Sequence, residues 1–233
     1  MSDKRRHVLS HPLVNARLSQ LRQTNTNSKG FREGIHDISL ILGIEASRDL
    51  EEETFQGQTP VGPFTGTTIR PKVGLTPILR AGLGMTDALL SLFPTAAVYH
   101  LGLYREKVSL QPVEYYSKLP PVPPIDTCFI LDPLVATGGT ACAALAMILD
   151  WGVPISKIKL LAVLGSEEGL NHVHAEYPEL EVSFLLLFSS SCPKLRYIFQ
   201  IWVAAVDPTL TPDGLISPGL GDTGDRLFNT IRV

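Results

Sequence analysis

The chain has 233 residues, 44% of them hydrophobic and 18% charged, which fits one large domain and excludes a mostly disordered chain. Its formal net charge of -3 argues against binding nucleic acid through phosphates. No stretch approaches the roughly 20 apolar residues of a membrane span, and the charged start Met1–His7 leads into no secretory apolar run, so the cytosol is the expected compartment.

In chain order, residues 7–50 read as helical: Val14, Leu18 and Leu21 recur at helical spacing, and Ile35, Ile38 and Leu42 resume it after the polar break Thr24–Lys29. Residues 55–70, rich in Gly, Thr and Pro, predict a hairpin or loop. A short strand over Lys72–Leu79 ends at Arg80-Ala81-Gly82, and a helix follows over Met85–Leu92. Ala97–Leu103 reads as the next strand. Residues 105–124 are polar and proline-rich, and such a length without regular structure predicts a lid or binding loop that Tyr115 and Tyr116 could pack shut. Cys128–Leu131 reads as a buried parallel strand, Ala141–Asp150 as a helix, Ile158–Leu164 as a fourth strand, and Glu168–His174 as the start of another helix. Alternating strands and helices give an α/β fold with a mainly parallel sheet in a single domain, 1–233. Cys128, Cys142 and Cys192 lack C-x-x-C spacing and read as small packing residues. His172 and His174 diverge on a helix, so a shared metal is not expected.

The most informative segment is Cys128–Thr140: a strand, the acid Asp132, the turn Pro133-Leu134-Val135-Ala136-Thr137-Gly138-Gly139-Thr140, and a helix start. Such a turn aims amides outward where the helix dipole favours an anion, and its glycines let a phosphate come close to the backbone. Asp132 sits at the carboxyl end of a strand, where open α/β sheets place ligands. By itself T-G-G-T can equally be a turn that starts a helix. No lysine follows the glycines, so it is no Walker loop.

Four apolar residues, an acid and A-T-G-G-T resemble the motif with which type I phosphoribosyltransferases bind 5-phosphoribosyl-1-diphosphate (PRPP). Pro133, where most members carry a second acid, is similar to the uracil-specific branch. Thr76–Met85 resembles that branch's pyrophosphate-side loop, and Pro218–Arg226 its C-terminal uracil loop; His11-Pro12-Leu13 fits as well. The resemblance implies a type I phosphoribosyltransferase fold: a central parallel sheet, helices on both faces, and a small hood from about 55–70, 105–124 and the C-terminal loop. It implies transfer of phosphoribose from PRPP to uracil, with UMP and diphosphate as products. Arg80, Arg105, Asp132, residues 133–140 and Asp222 would hold PRPP, with Asp132, Asp222 and Arg105 nearest the chemistry. Ile216, Gly221, Asp222 and Thr223 would read uracil, Thr223 standing where the family usually has Ala. Mg²⁺ would arrive on the diphosphate, with no metal site of the protein's own. Asp222 is expected in a loop too glycine-rich for a helix. The family commonly forms dimers or tetramers, and some members respond to GTP.

Residues 182–200 interrupt the family's pattern, which runs from Glu181 straight into Ile201–Asp207. Val182-Ser183 can be encoded GTA-AGT, and Tyr197–Gln200 can end in CAG, so the segment reads as a retained in-frame intron; a genuine insertion is the alternative. Two other functions compete. One is a phosphoribosyltransferase for a purine or orotate, against which Asp132-Pro133 and the P-G-L-G-D loop argue. The other is a non-catalytic RNA-binding regulator, against which the acidic balance and the retained Arg80, Arg105, Asp132 and Asp222 argue.

Overall fold

The computed structural model describes residues 6–106, 112–178 and 199–230. The first third holds β1 (Arg6–Val8), α1 (Pro12–Arg22), α2 (Ser28–Ala46) and a hairpin of β2 (Glu52–Gln58) and β3 (Pro63–Ile69). Next come β4 (Val73–Leu79), α3 (Leu83–Leu92), β5 (Ala97–Val98), β6 (Leu101–Arg105), β7 (Pro112–Ser117), β8 (Thr127–Leu131) and β9 (Leu134–Val135). The remainder is α4 (Gly139–Trp151), β10 (Ile158–Ser166), α5 (Glu167–Glu176), β11 (Gln200–Asp207), β12 (Thr209–Leu210), β13 (Ile216–Ser217) and α6 (Thr223–Phe228).

The main sheet runs β1-β11-β10-β8-β4-β6-β7, with β9 beside β10 and β5 beside β4. Every pairing in it is parallel except β6 with β7. The strand period of two sends neighbouring side chains into separate cores. Phe129 and Leu131 of β8, with Leu161 and Val163 of β10, pack against α1, α2, α3 and α6. Cys128 and Ile130, with Leu160 and Ala162, pack against α4 and α5. Burial on both faces explains why these strands read as continuous apolar runs. On the first face the helices pack closely: a Cβ on Gly34 would meet Leu21 at 2.7 Å, and one on Gly43 would meet Leu89 at the same distance.

Several expectations need correction. The helical reading of 7–50 misses β1, a three-residue edge strand too short to show a period. The strand expected over Ala97–Leu103 is broken into β5 and β6, both beside β4. The expected loop 105–124 contains a strand: β7 pairs antiparallel with β6 from Ser117 opposite Leu101 to Pro112 opposite Arg105. Pro112 at the strand's first position loses no ladder bond, so the proline marks a start and not an absence. The hairpin of β2 and β3 is formed as expected, but its flanking Glu51 pairs with Arg70, just before β4, and with Lys157, just before β10. Its base therefore lies at the amino ends of the strands. Of the segment 182–200, residues 182–198 fall outside the described residues. Phe199 is buried, and Gln200 opens β11 opposite Lys159.

Candidate active site

Three loops meet at the carboxyl ends of the parallel strands. The first joins β8 to α4. Gly138, at φ 84°, caps α4 without any side-chain hydrogen bond, so the first amides of that 13-residue helix are left to face outward. A Cβ on Gly138 would come within 2.5 Å of Gly169 O, which makes glycine obligatory there on two counts. Beside these amides lies a cavity of about 220 Å³ lined by Asp132, residues 134–138, Thr140 and Ala141, and closed on another side by Gly214 and Leu215. Pro112 of β7 stands next to it, 3.9 Å from the Cβ position of Gly139.

Asp132 is crowded by protein. Burial pushes its carboxyl up to about 7, and the amide of Leu134, a long 3.4 Å away, offsets little of that. A carboxylate so poorly paired is suited to receive hydroxyl donors from a ligand.

The second loop follows β4. A Cβ on Gly82 would lie 2.4 Å from Leu131 O, so the Arg80–Gly82 turn is pressed against the end of β8, one residue before Asp132. Arg80 donates to Asp225 Oδ1 at 2.8 Å and to Thr230 Oγ1 at 3.2 Å. The Cβ position of Gly224 is 3.4 Å from both Arg80 Nη2 and Asp222 Oδ1, so Arg80 and Asp222 converge on one point.

The third loop, 211–230, is held by long-range anchors. Asp207 takes two bonds from Arg22, at 2.6 and 2.7 Å, and accepts from Gly219 N at 2.8 Å. Burial works to raise the Asp207 carboxyl, but Arg22 and the Gly219 amide outweigh it and hold it below its ordinary value. Arg226 donates to Leu21 O, Gln23 O and Leu220 O and lies over the Phe31 ring. Gly219 and Gly221 have φ of 65° and 71°. Asp222, expected in plain loop, instead caps α6 by accepting from Asp225 N at 2.9 Å. An Asp at the cap outweighs one glycine in the first turn.

Of the expected residues, Asp132, residues 134–138 and Thr140 line one cavity, Pro133 and Gly139 do not line it, and Arg80 and Asp222 meet near the Cβ position of Gly224. Ile216 is buried in β13, Gly221 is exposed, and Thr223 is buried with no partner for its Oγ1 among the described residues. Arg105 ends β6 opposite Pro112; its side chain lies outside the described residues. Sequence reasoning missed Asp225, Thr230, Asp207 and Arg22, whose partners are far away in the chain. It also missed the first two turns of α5 behind the Asp132 loop, where Ser166 Oγ donates to Ala136 O and His172 Nδ1 sits 2.7 Å from Thr137 O.

A sequence model of the uracil phosphoribosyltransferase family matches residues 8–187 and 189–230. The chain belongs to that family. It is 44% identical to the uracil phosphoribosyltransferase of Roseiflexus sp. (strain RS-1) over 223 residues, covering 96% of this chain and 97% of the relative. It is 42% identical over 225 residues to that of Desulfitobacterium hafniense (strain DSM 10664 / DCB-2), covering 96% and 98%. A solved protein from Aquifex aeolicus superimposes with a TM-score of 0.81 at 30% identity, over 96% of this chain and 97% of that one. The fold is the expected mostly parallel sheet with helices on both faces.

Proposed function

We propose that this chain transfers the 5-phosphoribosyl group of PRPP to N1 of uracil, yielding UMP and diphosphate in a pyrimidine salvage step. The observation that carries this reading is the uncapped amino end of α4 opening into a cavity walled on its far side by Gly214 and Leu215. An anion-binding end and the loop preceding the proposed base-reading residues thus share one space. The 5′-phosphate rests on the amides of 136–140, where the helix dipole and free N–H groups favour it. Asp132 accepts from the ribose hydroxyls. The C1–O bond to diphosphate breaks while the N1–C1 bond forms, and the N1 proton leaves to solvent. Arg80 and Arg105 grip the departing diphosphate, Arg80 exchanging its bond to Asp225 for one to the ligand. Backbone groups at Ile216, Gly221, Asp222 and Thr223 read the uracil edge; cytosine places an amine where O4 is expected and leaves buried groups unpaired.

A Mg²⁺ ion fits this arrangement. Asp222 spends Oδ1 on the α6 cap and keeps its other oxygen, the hard donor type this ion takes. The diphosphate and water would supply its other oxygen ligands, as is usual for this ion. Bound there, Mg²⁺ would neutralise the negative charge that grows on the leaving group. Dimeric or tetrameric assembly and a response to GTP extend the same reading, as does a place in the cytosol. No helix among the described residues is long and apolar enough to cross a membrane.

The test is conversion of labelled uracil to UMP with PRPP and Mg²⁺, with cytosine, orotate and hypoxanthine as controls. Uracil alone should react, and Asp222→Asn should lower turnover by orders of magnitude. Preference for another base, or near-normal Asp222→Asn rates, would count against the assignment.

A further inference from the structure

The loop that would hold the phosphate is backed by one face of α5. Residues 166, 169 and 172 are spaced three apart, so they share a face over the helix's first two turns. Ser166 Oγ donates to Ala136 O, and the same oxygen accepts from Gly169 N at 2.8 Å. Gly169 itself touches the loop: a Cβ there would lie 2.0 Å from Ala136 O. His172 Nδ1 lies 2.7 Å from Thr137 O. Two successive carbonyls of the loop are therefore turned backward and held from behind. In a run of peptides, carbonyls fixed on one side leave amides presented on the other, the arrangement that makes an anion nest.

From this we infer that His172 is a positioning residue, fixing the Thr137 carbonyl so that the amides of Gly138 and Gly139 stay aimed at the phosphate. The inference rests on the PRPP reading of the cavity. A carbonyl can only accept, so Nδ1 carries the proton; in the neutral ring Nε2 is then bare. The ring donates to Thr137 O whether neutral or cationic. His172 is exposed, so its packing contributes little and the donor is what matters.

His172→Leu removes the donor at similar bulk, and His172→Asn places an amide N–H near the position of Nδ1. The leucine variant should bind PRPP about tenfold more weakly, by calorimetry and by KM, as expected for one lost hydrogen bond. Its kcat, its KM for uracil and its melting temperature should stay within about twofold or a degree or two of the parent, as for a surface substitution. The asparagine variant should recover most of the PRPP affinity. Nitrogen chemical shifts of the His172 ring at alkaline pH should report the Nδ1–H tautomer, a signature that a packing role would not fix. Unchanged PRPP affinity in the leucine variant, equal loss in both variants, or an Nε2–H ring would each overturn the role. Parent protein that binds no PRPP would refute the function itself and this role with it.

Discussion

Replacing Asp132 with asparagine should make the free protein more stable at alkaline pH while abolishing activity. The Asp132 carboxyl is raised from 3.8 to about 7, because burial outweighs its single long hydrogen bond. The folded state thus holds the proton more tightly than the unfolded one. At pH 8 both states are ionised, and the folded state carries a penalty of at most roughly 4 kcal/mol at 1.36 kcal/mol per pH unit, lessened by whatever solvent the half-buried carboxyl reaches through the cavity. As pH falls through 7 toward 3.8 the folded carboxyl takes up its proton first, and the penalty declines to under about 2 kcal/mol at pH 5. A buried asparagine amide has its own unmet bonds, costing about 1–3 kcal/mol at any pH. The net gain at pH 8 is therefore at most about 2 kcal/mol, or about 4–8 °C in Tm for a chain of this size. It should vanish or reverse at pH 5. Thermal unfolding of both proteins at the two pH values, without ligand, measures this directly. A variant no more stable than the parent at pH 8, or a difference that ignores pH, would refute the electrostatic argument. Added PRPP should raise the parent's Tm and leave that of Asp132→Asn nearly unmoved.

Gly219→Ala would drive a Cβ to 2.0 Å from Ile216 O at a φ of 65°, so it should cost more than about 2 kcal/mol in chemical denaturation and raise KM for uracil. Asp207→Asn breaks the bond pair with Arg22 and should cost about 3 kcal/mol at neutral pH. Because the Asp207 carboxyl is held low, its contribution in the parent persists above 3.8 and disappears only as pH falls below that. The two proteins should therefore converge in stability in strong acid, as an acid titration of unfolding will show. Deleting 182–200 brings Leu180 and Glu181 into the places of the buried Phe199 and the strand residue Gln200, an apolar-then-polar order the sheet accepts. Soluble yield should rise, and a fall would support a genuine insertion. Mature transcripts that mostly lack those codons would establish the intron.

Much of the fold was legible because the strands around the site are buried on both faces. β8 and β10 announce themselves as apolar runs, and the turn between β8 and α4 combines an acid, small residues and a helix start within one short stretch. Local chemistry of that kind is written contiguously. The clamp on the third loop is not: Arg22 and Asp207 lie 185 positions apart, and neither has a neighbour that hints at the other. Arg226 looks like one more polar residue in a glycine-rich loop until Leu21, Gln23 and Phe31 are seen around it. His172 reads as a surface histidine because the carbonyl it meets belongs to the backbone, which carries no sequence signal. The proline at its first position hides β7 in the sequence, and Gly221 and Gly224 hide α6, because the effect of such residues depends on where in an element they stand.

The division of the interior by the sheet bears on how such a chain can change. Phe129 and Ile130 are adjacent in sequence, yet one answers to the helices around Phe31 and the other to α4. Substitutions at two such neighbours are strangers to each other, while Phe129 and Phe93, edge-on at 5.6 Å, are bound to adjust together. Each compartment can drift or be redesigned on its own terms, so long as the strand ends that carry Arg80 and Asp132 stay in register between them.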